Sequence, residues 1–458
     1  MTSLLVGVDV GTTHLKVGIF DPGGHLVAFA QRDSSPEWRP NGQVQVDAAL
    51  WWDCFIQSFR ECLAQVGRSS IRAVSVSSQA QTYILLDGAK RPTGPAVTWL
   101  DATGDVEGGA RGLADFSRHT GWPSPFAQLA LCKLQRYRLQ SGVSHLLFAD
   151  GYLLYRLTNR AAVSRNLAAM SGLYSLEHQD WWAEALAVAG VPREVLPAIC
   201  EVGQVVGELD STLARTLEIP TVPVVAGAND QTAAALGAGL AGLGDTALGL
   251  GTALVTYQVI GATTKRHPQA LVGPYLSGLH YRLLCGAGGD VIEWAKNSFF
   301  PGHSWQEFFT AALAVKPGGG GLRFRPDRGV LSGLSLSHGA AEMARAVLEG
   351  IACLMREQFE TLDVRGVVCL TGGGTRNDAW AQVMADVVGR PLERLDQPQA
   401  SLWGTALAAG YGAGMIPDLL EAARTHRKPG RLFVPRSDHA ETYDLVYQDY
   451  QHLSGATQ

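Results

Sequence analysis

The sequence predicts an α/β protein made of two similar domains facing a cleft. At 458 residues, with 46% hydrophobic and 17% charged residues, it is long enough for two domains that each bury a core. A strand–Gly-Thr–strand hairpin occurs twice, once at the start and once near the middle. A buried-type strand leading into a glycine turn and a helix also occurs twice, so each half of the chain repeats one plan.

The elements follow in order along the chain. Leu4 to Val8 is a run rich in branched residues, and Leu15 to Phe20 follows the turn Asp9-Val10-Gly11-Thr12-Thr13, which reads as a hairpin closed by Asp21-Pro22-Gly23-Gly24. Ala48 to Gln65 has apolar residues at helical spacing and predicts a long amphipathic helix. Val222 to Ala226 is a strand running into Gly227-Ala228-Asn229-Asp230 and a small-residue helix over Gln231 to Leu240. Gly242 to Asp245 marks the boundary, which gives domains of 1–244 and 245–458. Thr246 to Leu250, Gly251-Thr252 and Ala253 to Ile260 form the second hairpin. Pro317 to Gly321 reads as a flexible loop, and Ala340 to Leu362 as a second long helix. Gly366 to Thr371, the turn Gly372 to Asp378 and a helix from Ala379 to Val388 repeat the 222–240 unit, while the stretch after Arg427 carries little pattern.

Composition excludes several function classes. A net charge of -5 without long runs of one sign offers no footprint for nucleic acid or an anionic membrane surface. The apolar start, MTSLLVGVDVG, is too short to span a membrane and is broken by Asp9, so neither signal peptide nor anchor is expected. Seven scattered cysteines suit reduced thiols in the cytoplasm rather than disulfides or a metal site. Neither an HExxH pattern nor a Gly-Lys-Ser/Thr phosphate loop occurs, so zinc hydrolysis and P-loop chemistry are set aside.

The remaining motifs point to a nucleotide and a small polar substrate. In VGVDVGTTHLKVGIFD, Gly11 lets the main chain approach phosphate oxygens, and Thr12, Thr13 and Lys16 add donors. Asp9 ends the strand where a carboxylate can hold Mg²⁺. An ordinary hairpin with a turn aspartate explains the same pattern, but a second Gly251-Thr252 turn in a similar half favours one nucleotide gripped from both sides. Asp230 reads either as a helix cap, the commoner use of Asn and Asp at such a place, or as the base that accepts a substrate proton during phosphoryl transfer, alongside metal binding. The accompanying motifs favour the base. TGGGTRND places Gly372, Gly373 and Asn377 where nucleotide can lie against a helix start. Gln79, Gln81, Trp99 and Asp101 supply the amides, carboxylate and aromatic face that a sugar pocket needs, and a plain strand end with a core tryptophan accounts for them equally.

Together these motifs resemble the FGGY carbohydrate kinases of the actin-like ATPase superfamily. The resemblance runs from DVGTTHLKVGIFD through GANDQTAAALGAG and LGLGTA to LTGGGTRNDAWAQVMADVVGRPL and ASLWGTALAAGYGAG. GVLSGLSLSHGAAEMARAVLE matches the family's second signature from Gly329 and Leu331 through Gly333-Leu334 to Glu342-Met343 and Ala346 to Glu349. It implies two ribonuclease-H-like domains around a central cleft, sugar on the N-terminal one and ATP on the C-terminal one. By position it implies Asp9 for Mg²⁺ or phosphate, Asp230 as base, Gly251 and Thr252 for phosphate, Gly373 and Asn377 for adenosine, and Gln79-Ala80-Gln81 with Asp101 for sugar.

Departures bear on the substrate. The Gln79 stretch lacks the Arg-Glu pair of glycerol kinases, and keeps only the first residue of the Gln-Met-His-Gly usual in xylulose kinases. Arg136 stands where the first signature has tryptophan, and the stretch from Leu322 to Gly333 is shorter than in many relatives. The expectation is an ATP- and Mg²⁺-dependent kinase of a ketose such as xylulose, with another polyol or sugar acid as the alternative and glycerol disfavoured. A sugar-binding regulator without activity and an actin-like ATPase are the rival classes. Monomer and homodimer are both left open.

Overall fold

Each Gly-Thr hairpin lies at the centre of a sheet in the computed structural model, which describes residues 3–397 and 399–453. In the first half, β1 (Leu4–Val10), β2 (His14–Phe20), β3 (Leu26–Asp33), β4 (Ile71–Ser78) and β5 (Pro223–Asn229) form a six-stranded sheet with the edge strand Val205–Glu208. In the second, β6 (Thr246–Leu250), β7 (Ala253–Ile260), β8 (His280–Ala287), β9 (Val368–Thr371) and β10 (Leu392–Arg394) form a seven-stranded sheet with the edges Leu271–Pro274 and Arg431–Phe433. The order β5-β4-β1-β2-β3 matches β10-β9-β6-β7-β8. In both, the hairpin strands are antiparallel and the next two neighbours parallel. All of β1 is buried, as expected of a strand covered on both faces.

This order corrects one expected equivalence. The 222–226 strand is the fifth of its half and the 368–371 strand the fourth of its own, so β5 corresponds to β10, and β9 to β4. Each half contains more than one strand running into a turn, and a glycine at the turn does not say which strand precedes it.

The helices place the site. Helix α1 (Ala48–Leu63) is capped by Asp47 and buries Trp51, Phe55, Phe59 and Cys62 at helical spacing against the first sheet. Helices α2 (Asp230–Gly237), α3 (Gly289–Phe299), α4 (Ala340–Thr361), α5 (Asp378–Val388) and α6 (Ala400–Gly412) follow. Although α6 belongs to the second half in sequence, it lies on β1 and against α2. A side chain at Gly7 would collide with the Leu402 carbonyl, one at Gly404 with that of Ala233, and one at Gly237 with that of Ala400. Glycine is therefore what allows this backbone-to-backbone crossing. One apolar core unites Leu5, Phe20, Ala228 and Leu236 with Tyr257, Tyr281, Leu402 and Trp403, so the halves share packing as well as a cleft.

A smaller five-stranded sheet (Glu37–Trp38, Val44–Val46, Ala96–Val97, Tyr83–Asp87, Val143–Phe148) carries the loops around Gln79 and Trp99. The segment 317–321, expected to be flexible, is a tight turn instead: the Gly318 N–H donates to Glu349 Oε1 at 2.9 Å, and Arg323 donates to the Gly318 carbonyl at 2.8 Å. The stretch after Leu322 forms the hairpin Arg323–Arg325/Val330–Ser332, in which Arg325 pairs with Asp327 and lies over the Tyr450 ring. Among the described residues no helix is long and apolar enough to cross a membrane. Six of the seven cysteines are buried and none is in a disulfide, whereas Cys285 is exposed.

Candidate active site

The first half gathers its carboxylates at the carboxyl ends of three adjacent strands. Asp9 near the end of β1 lies beside Ser77 of β4, Ser78 pairs with Asn229 at the end of β5, and Asp230 opens α2. Ends of parallel strands are where open α/β sheets bind ligands. Asn229, not Asp230, is the helix cap: its Oδ1 accepts the Thr232 N–H at 2.8 Å. That leaves Asp230 with a local bond from the Gln231 N–H at 2.8 Å and an otherwise uncommitted carboxyl. Burial, and after it the negative charge of Asp9, push the Asp230 carboxyl up to about 7, while the Gln231 N–H and Lys16 act in the opposite direction. Lys16 stands opposite Asp9 across the hairpin.

Asn166 fixes this loop from behind. Its buried Oδ1 accepts both the backbone N–H and the side-chain amide of Asn229 at 2.8 Å, and its Nδ2 donates to Thr232 Oγ1 at 3.1 Å and to the Pro274 carbonyl at 2.7 Å. Every hydrogen-bonding atom of the Asn166 side chain is thereby used on the residues flanking Asp230 and on the second half.

The first hairpin reaches the expected sugar side. Thr12 Oγ1 donates to Gln79 Oε1 at 3.2 Å and accepts from Trp99 Nε1 at 2.8 Å, and Gln79 Nε2 donates to the Gly11 carbonyl at 3.4 Å. Thr12, expected as a phosphate donor, has its one proton committed to Gln79. Thr13 is exposed at the tip. Gln81 is buried at φ 60°, with Oε1 lacking a partner, and Ala80 is half-buried beside it. Asp101, expected at the sugar, is bonded within its own neighbourhood. It is fully buried, and its two oxygens accept from the Thr103 N–H and hydroxyl, the Val44 N–H and the Tyr137 hydroxyl. It holds its own turn together.

Lys133 went unnoticed in the sequence because its helix was judged only on Arg136, which points to solvent. Its fully buried ammonium donates to the Gln81 carbonyl at 2.8 Å and the Thr98 carbonyl at 2.6 Å, tying together the two loops that carry Gln81 and Trp99. Burial lowers it to about 7, opposed by the charge of Asp101.

The second half presents open backbone. Gly251 and Thr252 are exposed, and a side chain at Gly251 would meet nothing. Gly289 N donates to the Gly251 carbonyl at 2.9 Å and Asp290 N to that of Thr252 at 3.1 Å, which sets the start of α3 against the hairpin. The Gly-Gly doublet before Asp290 was the available sign of this contact. Gly372 and Gly373 are exposed on the neighbouring loop; Gly372 has φ 87° and no room for a side chain beside Leu250. Asn377 caps α5, accepting the Trp380 N–H at 3.0 Å through Oδ1 and keeping its amide N–H groups.

No group of three or more His, Cys, Asp and Glu suited to a metal occurs among the described residues. Asp9 and Asp230 still suit Mg²⁺, which commonly uses one or two carboxylates and completes its shell with water and phosphate oxygens.

Models of the two domains of the FGGY family of carbohydrate kinases match this chain: the N-terminal domain over residues 4–107 and 131–237, and the C-terminal domain over residues 250–413. A glycerol kinase from Gloeobacter violaceus is 28% identical over 92% of this chain and 90% of its own. A xylulose kinase from Escherichia coli is 25% identical over 97% of this chain and 99% of its own. The solved xylulose kinase from Rhodospirillum rubrum is 27% identical and superposes with a TM-score of 0.87 over 99% of this chain and 98% of its own.

Proposed function

Because the chain belongs to the FGGY family of carbohydrate kinases, we propose that it transfers the γ-phosphate of ATP to a hydroxyl of a small ketose, with Asp230 as the base. The observation that carries this reading is Asp230 itself. Its capping role is taken by Asn229, and its carboxyl is raised to about 7, close to working pH, where a general base both ionises and accepts a proton well.

Phosphoryl transfer depends mainly on alignment and on neutralising phosphate charge. In this reading residues 1–244 hold the sugar and residues 245–458 the nucleotide, with the joint at Gly242–Asp245. Gly251, Thr252, Gly372, Gly373 and Asn377 line the nucleotide side, while Gly11, Thr13 and Lys16 meet the phosphates from the first half. Asp9 and Asp230 would hold Mg²⁺, which supplies charge neutralisation on the phosphates. Asp230 receives the proton of the acceptor hydroxyl, and closure of the cleft keeps water from competing as acceptor.

A ketose is suggested by the xylulose kinases among the similar chains, and the residues of the expected sugar side suit a polyhydroxylated substrate. Gln79 and Gln81 offer amides and Trp99 an aromatic surface, and the partnerless Gln81 Oε1 is the kind of buried acceptor that a sugar hydroxyl would satisfy. The test is ADP release measured against ketopentoses, ketohexoses, heptuloses, glycerol, erythritol and gluconate. The expected result is turnover with one ketose well above all the others. Preferential turnover of glycerol or gluconate would reassign the substrate within the same class.

A further inference from the structure

Helix α6 contributes hydroxyls to the first half from the far end of the chain. Ser401 Oγ donates to Asp9 Oδ2 at 2.9 Å. One turn later on the same face, Thr405 Oγ1 donates to the Ser401 carbonyl at 2.7 Å and lies 2.8 Å from Ser77 Oγ. Ser77 in turn lies 3.2 Å from the Val8 carbonyl and 3.5 Å from Asp9 Oδ1, the latter at the limit of a hydrogen bond. Ser401, Asp9, Ser77 and Thr405 thus form a ring closed by one helical turn, and within it Ser401 is the strong donor to the carboxylate. Asp9 is 3% exposed, so the loss of that donor is not made good by bulk water.

We propose that Ser401 is a positioning residue which holds Asp9 by one oxygen, so that the other is presented to the metal–phosphate site. This rests on reading Asp9 as the carboxylate that faces the phosphates. The close crossing at Gly7, Gly237 and Gly404 brings the α6 backbone so near to β1 and α2 that no side chain fits between them. The same helix therefore fixes Asp9 through Ser401 and, through its contact with α2, the element that begins with Asp230. The spacing of the two carboxylates is set by a segment of the second half.

The test is calorimetric binding of a non-hydrolysable ATP analogue, titrated with Mg²⁺ and again in EDTA, to the full chain and to Ser401→Ala, Ser401→Thr and Asp9→Asn. A hydrogen bond to a charged group contributes enough that Ser401→Ala should weaken binding about 10-fold with Mg²⁺, and leave binding in EDTA unchanged. Ser401→Thr, which restores the hydroxyl, should recover most of the loss. Asp9→Asn should erase the difference between the two titrations. Should the alanine variant fail to fold, Ser401→Cys, nearly the same size with a weak donor, carries the same comparison. Wild-type affinity of Ser401→Ala with Mg²⁺, while Asp9→Asn loses its Mg²⁺ dependence, would overturn the role of Ser401 and leave that of Asp9 standing. Equal weakening in both titrations would make Ser401 a packing residue and would also overturn the proposal. If Asp9→Asn keeps full Mg²⁺ dependence, the reading of Asp9 fails and the role of Ser401 falls with it.

Discussion

The two Gly-Thr hairpins share a backbone plan and differ in what they hold. In the first, Asp9 sits beside Ser77, whose hydroxyl lies 3.2 Å from the Val8 carbonyl. In the second, Gly249 sits beside Thr371, whose hydroxyl lies 3.5 Å from the Leu248 carbonyl. The strand-to-strand hydroxyl is kept, while the carboxylate of one half is a glycine in the other. Thr12 is bonded to Gln79 and Trp99, whereas Thr252 is exposed. Two copies of one fold thus differ at the same place: the first hairpin is bonded to Gln79 and Trp99 and carries a carboxylate, and the second is left exposed.

The largest effect that tests this difference comes from the two Asn-Asp pairs that open α2 and α5. Asp230→Asn should cost about two to four powers of ten in turnover, with sugar binding retained. Asp378 is instead held by Arg394 and Arg431, so Asp378→Asn should leave turnover within about threefold and change only stability, as expected for a partly exposed pair. Comparable losses from both variants would break the comparison.

Next in size are the two threonines. Thr12→Val strips partners from Gln79 and from the indole of Trp99, so kcat/KM for the sugar should fall about 10- to 100-fold. Thr252→Val should raise KM for ATP about 3- to 10-fold and leave KM for the sugar alone. Steady-state kinetics varying each substrate in turn separates the two.

The glycines sharpen the contrast through stability. Gly372→Ala places a side chain at φ 87° against Leu250 and should lower stability by about 1–3 kcal/mol in denaturant titration. Gly251→Ala meets nothing and should change it by less than about 0.5 kcal/mol.

The smallest effect is in pH. Because the Asp230 carboxyl is raised to about 7, its ionised form is lost as pH falls below 7, and kcat/KM for the sugar should decline there with a single ionisation. For stability the sign is reversed. A carboxyl raised on folding contributes stability that is present at low pH and lost as pH rises through 7. Asp230→Asn should therefore melt higher than the wild type at pH 8, with the gap closing below pH 7. A kinetic ionisation that persists in the variant would move the base to another residue.

Local signals carried much of the fold. The hairpins were legible because a short branched run, a Gly-Thr turn and a second run lie within one stretch of chain, and the second is observed at Thr246–Leu250 and Ala253–Ile260 as expected. The long helices appear at Ala48–Leu63 and Ala340–Thr361 because their apolar spacing is regular. The equivalence of β5 with β9 failed since strand order depends on pairings between distant segments. In the site, Asp9 and Asp230 lie at the ends of strands of one sheet, but Ser401 reaches Asp9 across 392 positions and left no local sign. Thr12 was read as a phosphate donor in the turn and Asp101 as a sugar contact. Their commitment to Gln79, Trp99, Thr103 and Tyr137 follows from tertiary packing, which the sequence pattern does not contain.

Phosphorus NMR of the protein with MgATP and the accepted ketose follows the passage of phosphate from ATP to a sugar hydroxyl. One sugar monophosphate should form for each ADP, with inorganic phosphate negligible and the conversion slowed by about two to four powers of ten in Asp230→Asn. ATP converted only to ADP and inorganic phosphate, regardless of sugar, or not consumed with any acceptor, would contradict that transfer.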